Sequence, residues 1–422
     1  MSDMSPPRTR ATPVRFADSW ASVHFDSLRG LAAIFVMLGH WRNIFFIDYP
    51  QLAGDRRWWA LPYLMTSGGH QAVILFFVLS GYFIGGTVLR SLERDQWQWS
   101  GYLLRRFVRL WIVLVPALLL CLFWDKLGIQ LGHAPALYSG HSLDHIVPDV
   151  TERLSPGIFF GNLFFLQTIL TPVLGTNGPL WSLANEFWYY LLFPLGIMAL
   201  WPRTRLENRV LCTVLFFAIA WFVRGGLLLG FPIWLAGVVL FKLPAPSFPA
   251  GVARYARLAA TLIYLPIFFA MGRIHLPAFI DDYILGLFTL AYLWVLLSAR
   301  DPYPATDISA RGSRELARFS YTLYATHLPL LVFAASLLVG NSRWSPTPAK
   351  VLSGIGVLVV TLAYAYGLAY STEFRTDSVR MGIERIFGRR SGRRPEPSML
   401  PSDPMKDPPG HAQAMASPPE PR

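Results

Sequence analysis

Ten stretches of this chain are apolar for close to the length that crosses a bilayer. They fall at about 27–47, 72–90, 107–124, 180–200, 210–224, 226–241, 257–271, 282–298, 319–339 and 351–371. A spanning helix needs roughly 20 such residues. Inside lipid its backbone groups must bond within their own segment, which leaves helices as the solution for runs of this kind. With 53% of 422 residues hydrophobic, a soluble domain is excluded. The expected fold is all-α: a polytopic integral membrane protein of about ten transmembrane helices, with membrane lipid as its first partner. Between 210 and 241 only Arg224-Gly225-Gly226 divides the apolar residues, so a tight hairpin and one long tilted helix both remain open there.

The formal net charge of +12 would suit nucleic acid, but the basic residues gather in alternate loops. Arg8, Arg10 and Arg15 precede the first run, and Arg90, Arg94, Arg105, Arg106 and Arg109 surround the gap between the second and third. Arg203, Arg205 and Arg209, then Arg254 and Arg257, then Arg300, Arg311, Arg314 and Arg318 mark further loops of that set. Such asymmetry is the topology signal of a membrane protein. It implies both termini in the cytoplasm and no nucleic-acid partner. That parity leaves out the short run Ile158 to Leu170, which is expected to be re-entrant or interfacial.

Residues 1–24 are expected to be a disordered cytoplasmic tail without a signal-peptide pattern. Residues 25–374 form the membrane domain, and 375–422 a basic, Pro-rich, largely disordered cytoplasmic tail. Cys121 and Cys212 both lie in apolar runs, so no disulfide framework is indicated. The loop 125–157 carries His133, His141, Asp144, His145 and Asp149 in a spacing that matches no metal site, and no metal is expected.

Ionisable residues inside apolar spans mark function by default, because burying one in lipid costs at least a few kcal/mol. In Phe25–Arg42, Arg29 and His40 are eleven residues apart, hence about 16 Å along a helix and on nearly the same face. Asp26 stands at the mouth of that helix. A second stretch, from Gly68 to Gly85, carries Ser80-Gly81 in mid-span, a pair that permits close helix packing. In Tyr102–Pro116, Arg105, Arg106 and Arg109 lie within about one turn at a cytoplasmic mouth, where guanidinium groups can clamp phosphates.

Glu186 lies inside the aromatic span after Asn177, some six residues from its outer end. Counted along their helices, Glu186 and His40 fall at similar depth. A His–Glu pair is one way to orient a general base. Trp181, Ser182 and Tyr189 surround Glu186, and the stretch Phe319–Pro329 adds Tyr321, Tyr324 and His327 at i, i+3 spacing.

DSLRGLAAIFVMLGH, FFVLSGYFI, YLLRRFVRLWIVLVP, PLWSLANEFWYYLLFP and FSYTLYATHLPLL resemble, in order, the motifs of the membrane-bound acyltransferase 3 family. The likeness runs from about 25 to 371. It implies transfer of an acyl group, often acetyl from acetyl-CoA, to a hydroxyl of a polysaccharide, glycolipid or related acceptor in a bacterial inner membrane. It implies no bound cofactor, with acyl-CoA as donor substrate and polysaccharide-biosynthesis proteins as candidate partners. Carried over, Arg29 and His40 match the family's Arg–ten residues–His motif, with His40 catalytic. Arg105, Arg106 and Arg109 match its basic donor-side motif, and Glu186 its Trp-Ser-Leu…Glu motif.

Around these, Asp26, Ser80, Trp181, Ser182, Tyr189, Tyr324 and His327 are assigned to the acceptor pocket or its support. Direct transfer and a covalent acyl-enzyme on His40 or Ser182 are both open. Two departures stand out. Ala72, Val73 and Ile74 occupy the places of a Gly-Val-Asp triplet, and after Glu186, where many members continue Glu-Gln-Phe-Tyr, this chain has Phe187, Trp188, Tyr189 and Tyr190. A glycolipid transporter or flippase is the alternative class, in which the same charges line a translocation path.

Overall fold

The computed structural model describes residues 16–132, 134–140, 149–274, 276–304, 306–340 and 342–391. Among these there is no β-strand, only isolated bridges. The helices are α1 (Trp20–Phe45), α2 (Arg57–Met65), α3 (Gly69–Ser80), α4 (Gly86–Glu93), α5 (Trp99–Leu131), α6 (Pro135–Tyr138), α7 (Pro156–Leu163) and α8 (Leu180–Leu200). They continue as α9 (Leu206–Val223), α10 (Gly226–Lys242), α11 (Ala250–Met271), α12 (Ile280–Leu296), α13 (Ile308–Leu338), α14 (Pro348–Ser371) and α15 (Thr376–Ser391).

Each of the ten expected spans falls on a helix. Among the described residues, eight helical segments are long and apolar enough to cross a membrane, against the ten expected. The other two expected spans are α10 and α12, of 17 residues each. The chain is a multi-pass membrane protein. Residues 210–241 form two helices, because Gly225 turns at φ 65° between them.

The run 158–170 is no span: α7 has eight residues, about 12 Å, capped by Ser155, whose side chain accepts from the Ile158 N–H. The backbone beyond α7 is irregular but satisfied by protein, as backbone at membrane depth must be. Asn162 Nδ2 donates to the carbonyls of Ile158 and Pro172, its Oδ1 accepts from Leu174 N, and Gln167 Nε2 donates to Leu180 O. Phe165 stacks on Phe187 with centroids 4.3 Å apart.

Order begins ahead of residue 25. Phe16 is buried against Phe25 and Tyr82, and α1 starts at Trp20. At the other end, Thr376–Ser391, expected to belong to the disordered tail, is helical. His133, His141, Asp144 and His145 lie outside the described residues, whereas Asp149 accepts from Thr151 N and Oγ1.

Two packing relations position the site. First, α1 and α13 run side by side in the same direction. Ser27 Oγ donates to Ser313 Oγ, Arg29 Nη2 to Ala317 O, and His40 pairs with His327, at sequence offsets of 286, 288 and 287. The approach is close because Gly30 faces Leu316, which a Cβ on Gly30 would overlap.

Second, the rod formed by α3, a π-helical turn (Gly81–Gly85) and α4 crosses α10 backbone to backbone. A Cβ on Gly81 would overlap the Trp234 carbonyl, and one on Gly237 the Val78 carbonyl. Small residues at such crossings are how helices associate where water supplies no driving force.

Candidate active site

His40 Nδ1 and His327 Nε2 are 3.0 Å apart. His327 Nδ1 lies 2.9 Å from the Leu323 carbonyl oxygen, which can only accept, so Nδ1 carries the proton of His327. Its Nε2 then bears a lone pair and accepts from the Nδ1–H of His40. The other nitrogen of His40, Nε2, is therefore unprotonated, as the atom of a general base must be. His327 is fully buried, while His40 keeps some exposure. The pair has a supporting member and a reactive member.

Towards the N-terminal ends of α1 and α13 lie the arginines. Arg29, besides its bond to Ala317 O at 3.0 Å, is 3.8 Å from Asp26 and lies in the electrostatic field of Arg109, Glu373 and Glu186. Arg109 forms a 2.6 Å ion pair with Glu373. The other carboxylate oxygen of Glu373 accepts from Thr322 N at 3.0 Å and Thr322 Oγ1 at 2.9 Å. Glu373 thus ties the end of α14 to α13 and α5 and fixes Arg109. Sequence reasoning missed it, although a lone acid directly after an apolar run is an available signal. Arg106 is buried between the rings of Tyr102 and Tyr190, 5.7 and 5.9 Å from their centroids. Arg105 lies one residue nearer the start of α5.

Glu186 is not the partner of His40. Ser80 Oγ donates to Glu186 Oε1 at 2.8 Å, Tyr190 OH donates to the same oxygen, and Trp234 Nε1 supports Ser80 at 3.1 Å. The expected His40–Glu186 pair fails because α8 does not begin at the membrane face. The preceding residues Thr176 and Asn177 are buried at the level of Ala325, where Asn177 Nδ2 donates to its carbonyl. Asp125 holds that loop, accepting from Thr176 N and Oγ1 at 2.8 and 2.7 Å. Ser182, four residues before Glu186, meets Tyr324, three before His327, so Glu186 lies roughly 10 Å along the helices from His327, on the arginine side.

The remaining assigned residues join helices. Ser182 Oγ and Tyr324 OH are 2.6 Å apart and share the Pro179 carbonyl, at 3.2 and 3.1 Å. Tyr189 OH donates to Leu227 O at 2.6 Å, and Trp181 packs edge-on to Phe77 at 6.1 Å. Tyr321, Tyr324 and His327 do not bond one another: they reach α5, α8 and α1 in turn, Tyr321 OH donating to Leu110 O at 3.0 Å.

A base-competent imidazole held beyond a cluster of arginines in a membrane bundle suits transfer of an activated group to a hydroxyl. Comparison with known proteins gives the class: an integral-membrane transferase of acyl groups. More narrowly, the chain belongs to the acyltransferase 3 family, whose model, described as an acyltransferase domain, matches residues 23–370. It is similar to the acyltransferase MdmB of Streptomyces mycarofaciens, 26% identical over 408 residues that cover 87% of this chain and 94% of that protein. It is also similar to an O-acetyl transferase of Shigella phage Sf6, 29% identical over 178 residues, 41% of this chain and 45% of that one. No solved structure is a significant match. Membership of a transferase family sets aside the transporter without chemistry.

Proposed function

We propose that the protein is a bacterial inner-membrane O-acyltransferase that moves an acyl group, acetyl foremost, from cytoplasmic acyl-CoA to a hydroxyl of an extracytoplasmic or lipid-linked glycan. The observation that carries this reading is the His40–His327 hydrogen bond, which leaves Nε2 of His40 free as a base beyond the arginines. Arg105, Arg106 and Arg109, with Arg29, hold the donor phosphates through charge-assisted bonds. The thioester extends along α1 to His40.

His40 Nε2 removes the proton of the acceptor hydroxyl as its oxygen attacks the thioester carbonyl. The imidazolium formed is stabilised through its Nδ1–H by His327. Collapse of the tetrahedral intermediate breaks the C–S bond, and the proton on Nε2 passes to the departing thiolate, giving ester and free CoA. Direct transfer is favoured over an acyl-Ser182, because the Ser182 hydroxyl is engaged by Tyr324 and Pro179. Glu186, held by Ser80 and Tyr190, adds negative charge near Arg29. Support for an acetyl group comes from the name of the phage relative.

The test is release of free CoA from acetyl-CoA by purified protein in nanodiscs, with a glycan acceptor supplied. His40→Ala, eluting as folded protein, is expected to lose about 10²–10⁴-fold in rate. Equal turnover by wild type and variant sinks the mechanism.

A further inference from the structure

Two cations of α5 lack a counter-charge of their own. Arg106 is buried, packs against two tyrosine faces, and its Nε has no hydrogen-bond partner among the described residues. Arg105 forms no ion pair among the described residues, and the charges acting on it include Arg106, Arg380 and Glu384. Arg380 comes from α15, which packs on α5, and its side chain is only 8% exposed.

A buried guanidinium brought up to another is unfavourable unless negative charge compensates it. The compensation present comes from α15 itself. Asp377 is 3.2 Å away, with its side chain 48% exposed, and Glu384 3.8 Å away at 35%. Exposed carboxylates are screened by water, and Arg380 Nε remains buried without a partner. Arg105 thus lies in the field of both Arg106 and Arg380, each of which keeps a buried Nε without a hydrogen-bond partner among the described residues, and positive charge is in surplus. That is a built site for a phosphate, the anion whose oxygens match the guanidinium fork.

We infer that Arg380 is a further donor-binding residue, forming with Arg105 and Arg106 a site for the phosphate on the ribose of the acyl-CoA nucleotide. This rests on the proposed acyl-CoA donor. Arg105 and Arg106 precede Arg109 on α5, on the side away from His40, so the outermost phosphate of the donor falls here. The deeper Arg109 and Arg29 are left to the pyrophosphate. α15 is then part of the donor site, not a tether.

The test uses the full chain in nanodiscs of uncharged phosphatidylcholine. Initial rates are measured with acetyl-CoA and with 3′-dephospho-acetyl-CoA for wild type, Arg380→Ala and Arg380→Lys. For Arg380→Ala the KM for acetyl-CoA rises on the order of tenfold, the effect of losing one charge-assisted contact, with kcat changed far less. The wild-type preference for the 3′-phosphorylated donor disappears with it, and Arg380→Lys recovers part of it. Should Arg380→Ala fail to elute as folded protein, Arg380→Lys carries the comparison, with an intermediate KM and a weakened preference.

An unchanged KM and an unchanged preference in the folded variant make Arg380 a staple and overturn the proposal. So does a defect that emerges only when phosphatidylglycerol is added, which assigns the phosphate to a lipid headgroup. Absence of acetyl-CoA turnover by wild type overturns the donor reading itself, and is distinguished because it needs no variant.

Discussion

Replacing His327 by leucine removes the acceptor of the His40 Nδ1–H without touching His40. In the resting enzyme the bond joins two neutral imidazoles 3.0 Å apart, worth about 1 kcal/mol net. When His40 takes the acceptor proton, the same bond becomes charge-assisted and worth about 1.5–3 kcal/mol. Only the increment, about 0.5–2 kcal/mol, acts on the barrier, so kcat falls by about 2–30-fold. His327 is fully buried, so water does not take its place, and the N–H is left with the Val36 carbonyl alone, at a cost of about 1 kcal/mol of stability. His327→Gln, whose carbonyl oxygen can accept, is expected to recover most of the rate. The assay is free-thiol release from saturating acetyl-CoA, with elution volume as the check on folding. A folded His327→Leu with wild-type kcat would falsify the tautomer argument. If His327→Leu is instead as inactive as His40→Ala while His40→Gln retains activity, base and support exchange places.

The same geometry sets expectations at three other positions. Glu373→Ala strands both Thr322 donors at a buried position and frees Arg109, whose side chain is 36% exposed, a loss of about 1–3 kcal/mol, read as earlier thermal unfolding by fluorescence-detected chromatography; Glu373→Gln, which keeps an acceptor for Thr322, loses less. Gly237→Ala forces α10 away from the backbone of Val78 and Tyr82 and destabilises by at least about 1–3 kcal/mol, whereas Gly356→Ala, with open space around it, leaves the melting temperature level or raised. Asp48, in the loop after α1, is held below the ordinary carboxylate range by the hydrogen bond from Arg343 and the charges of Arg343 and Arg42, against partial burial. A depressed folded pKa stabilises at pH values above the unfolded carboxylate's and ceases to as pH falls through the folded value. Asp48→Asn therefore melts below wild type at pH 7, and the gap closes as the pH drops below about 4; a gap constant with pH contradicts this.

Hydropathy located the helices because lipid makes the same demand of every span: length, and no unpaired backbone. The eleven-residue interval from Arg29 to His40 was equally legible, since helical geometry alone turns both towards one neighbour, α13. Partnership was not legible. Depth counted from the ends of apolar runs set His40 beside Glu186, but α8 begins at a loop folded inwards by Asp125, a residue whose role depends on Thr176. Likewise His327 sits 287 residues from His40, and only the offset between two whole helices reveals the pair. Glu373 lay beyond the last motif, so periodicity gave no reason to bring it to Arg109.

The parallel pair α1 and α13 also works as a ruler. Contacts at both ends hold one offset to within two residues, so the interval from Arg29 to His40 is the property of two helices together. Sliding one against the other by a single residue, about 1.5 Å and 100°, would break the histidine bond and the Arg29 anchor at once. A gate that admits an acceptor must therefore open elsewhere, and a crosslink fixing α1 to α13 should leave turnover intact.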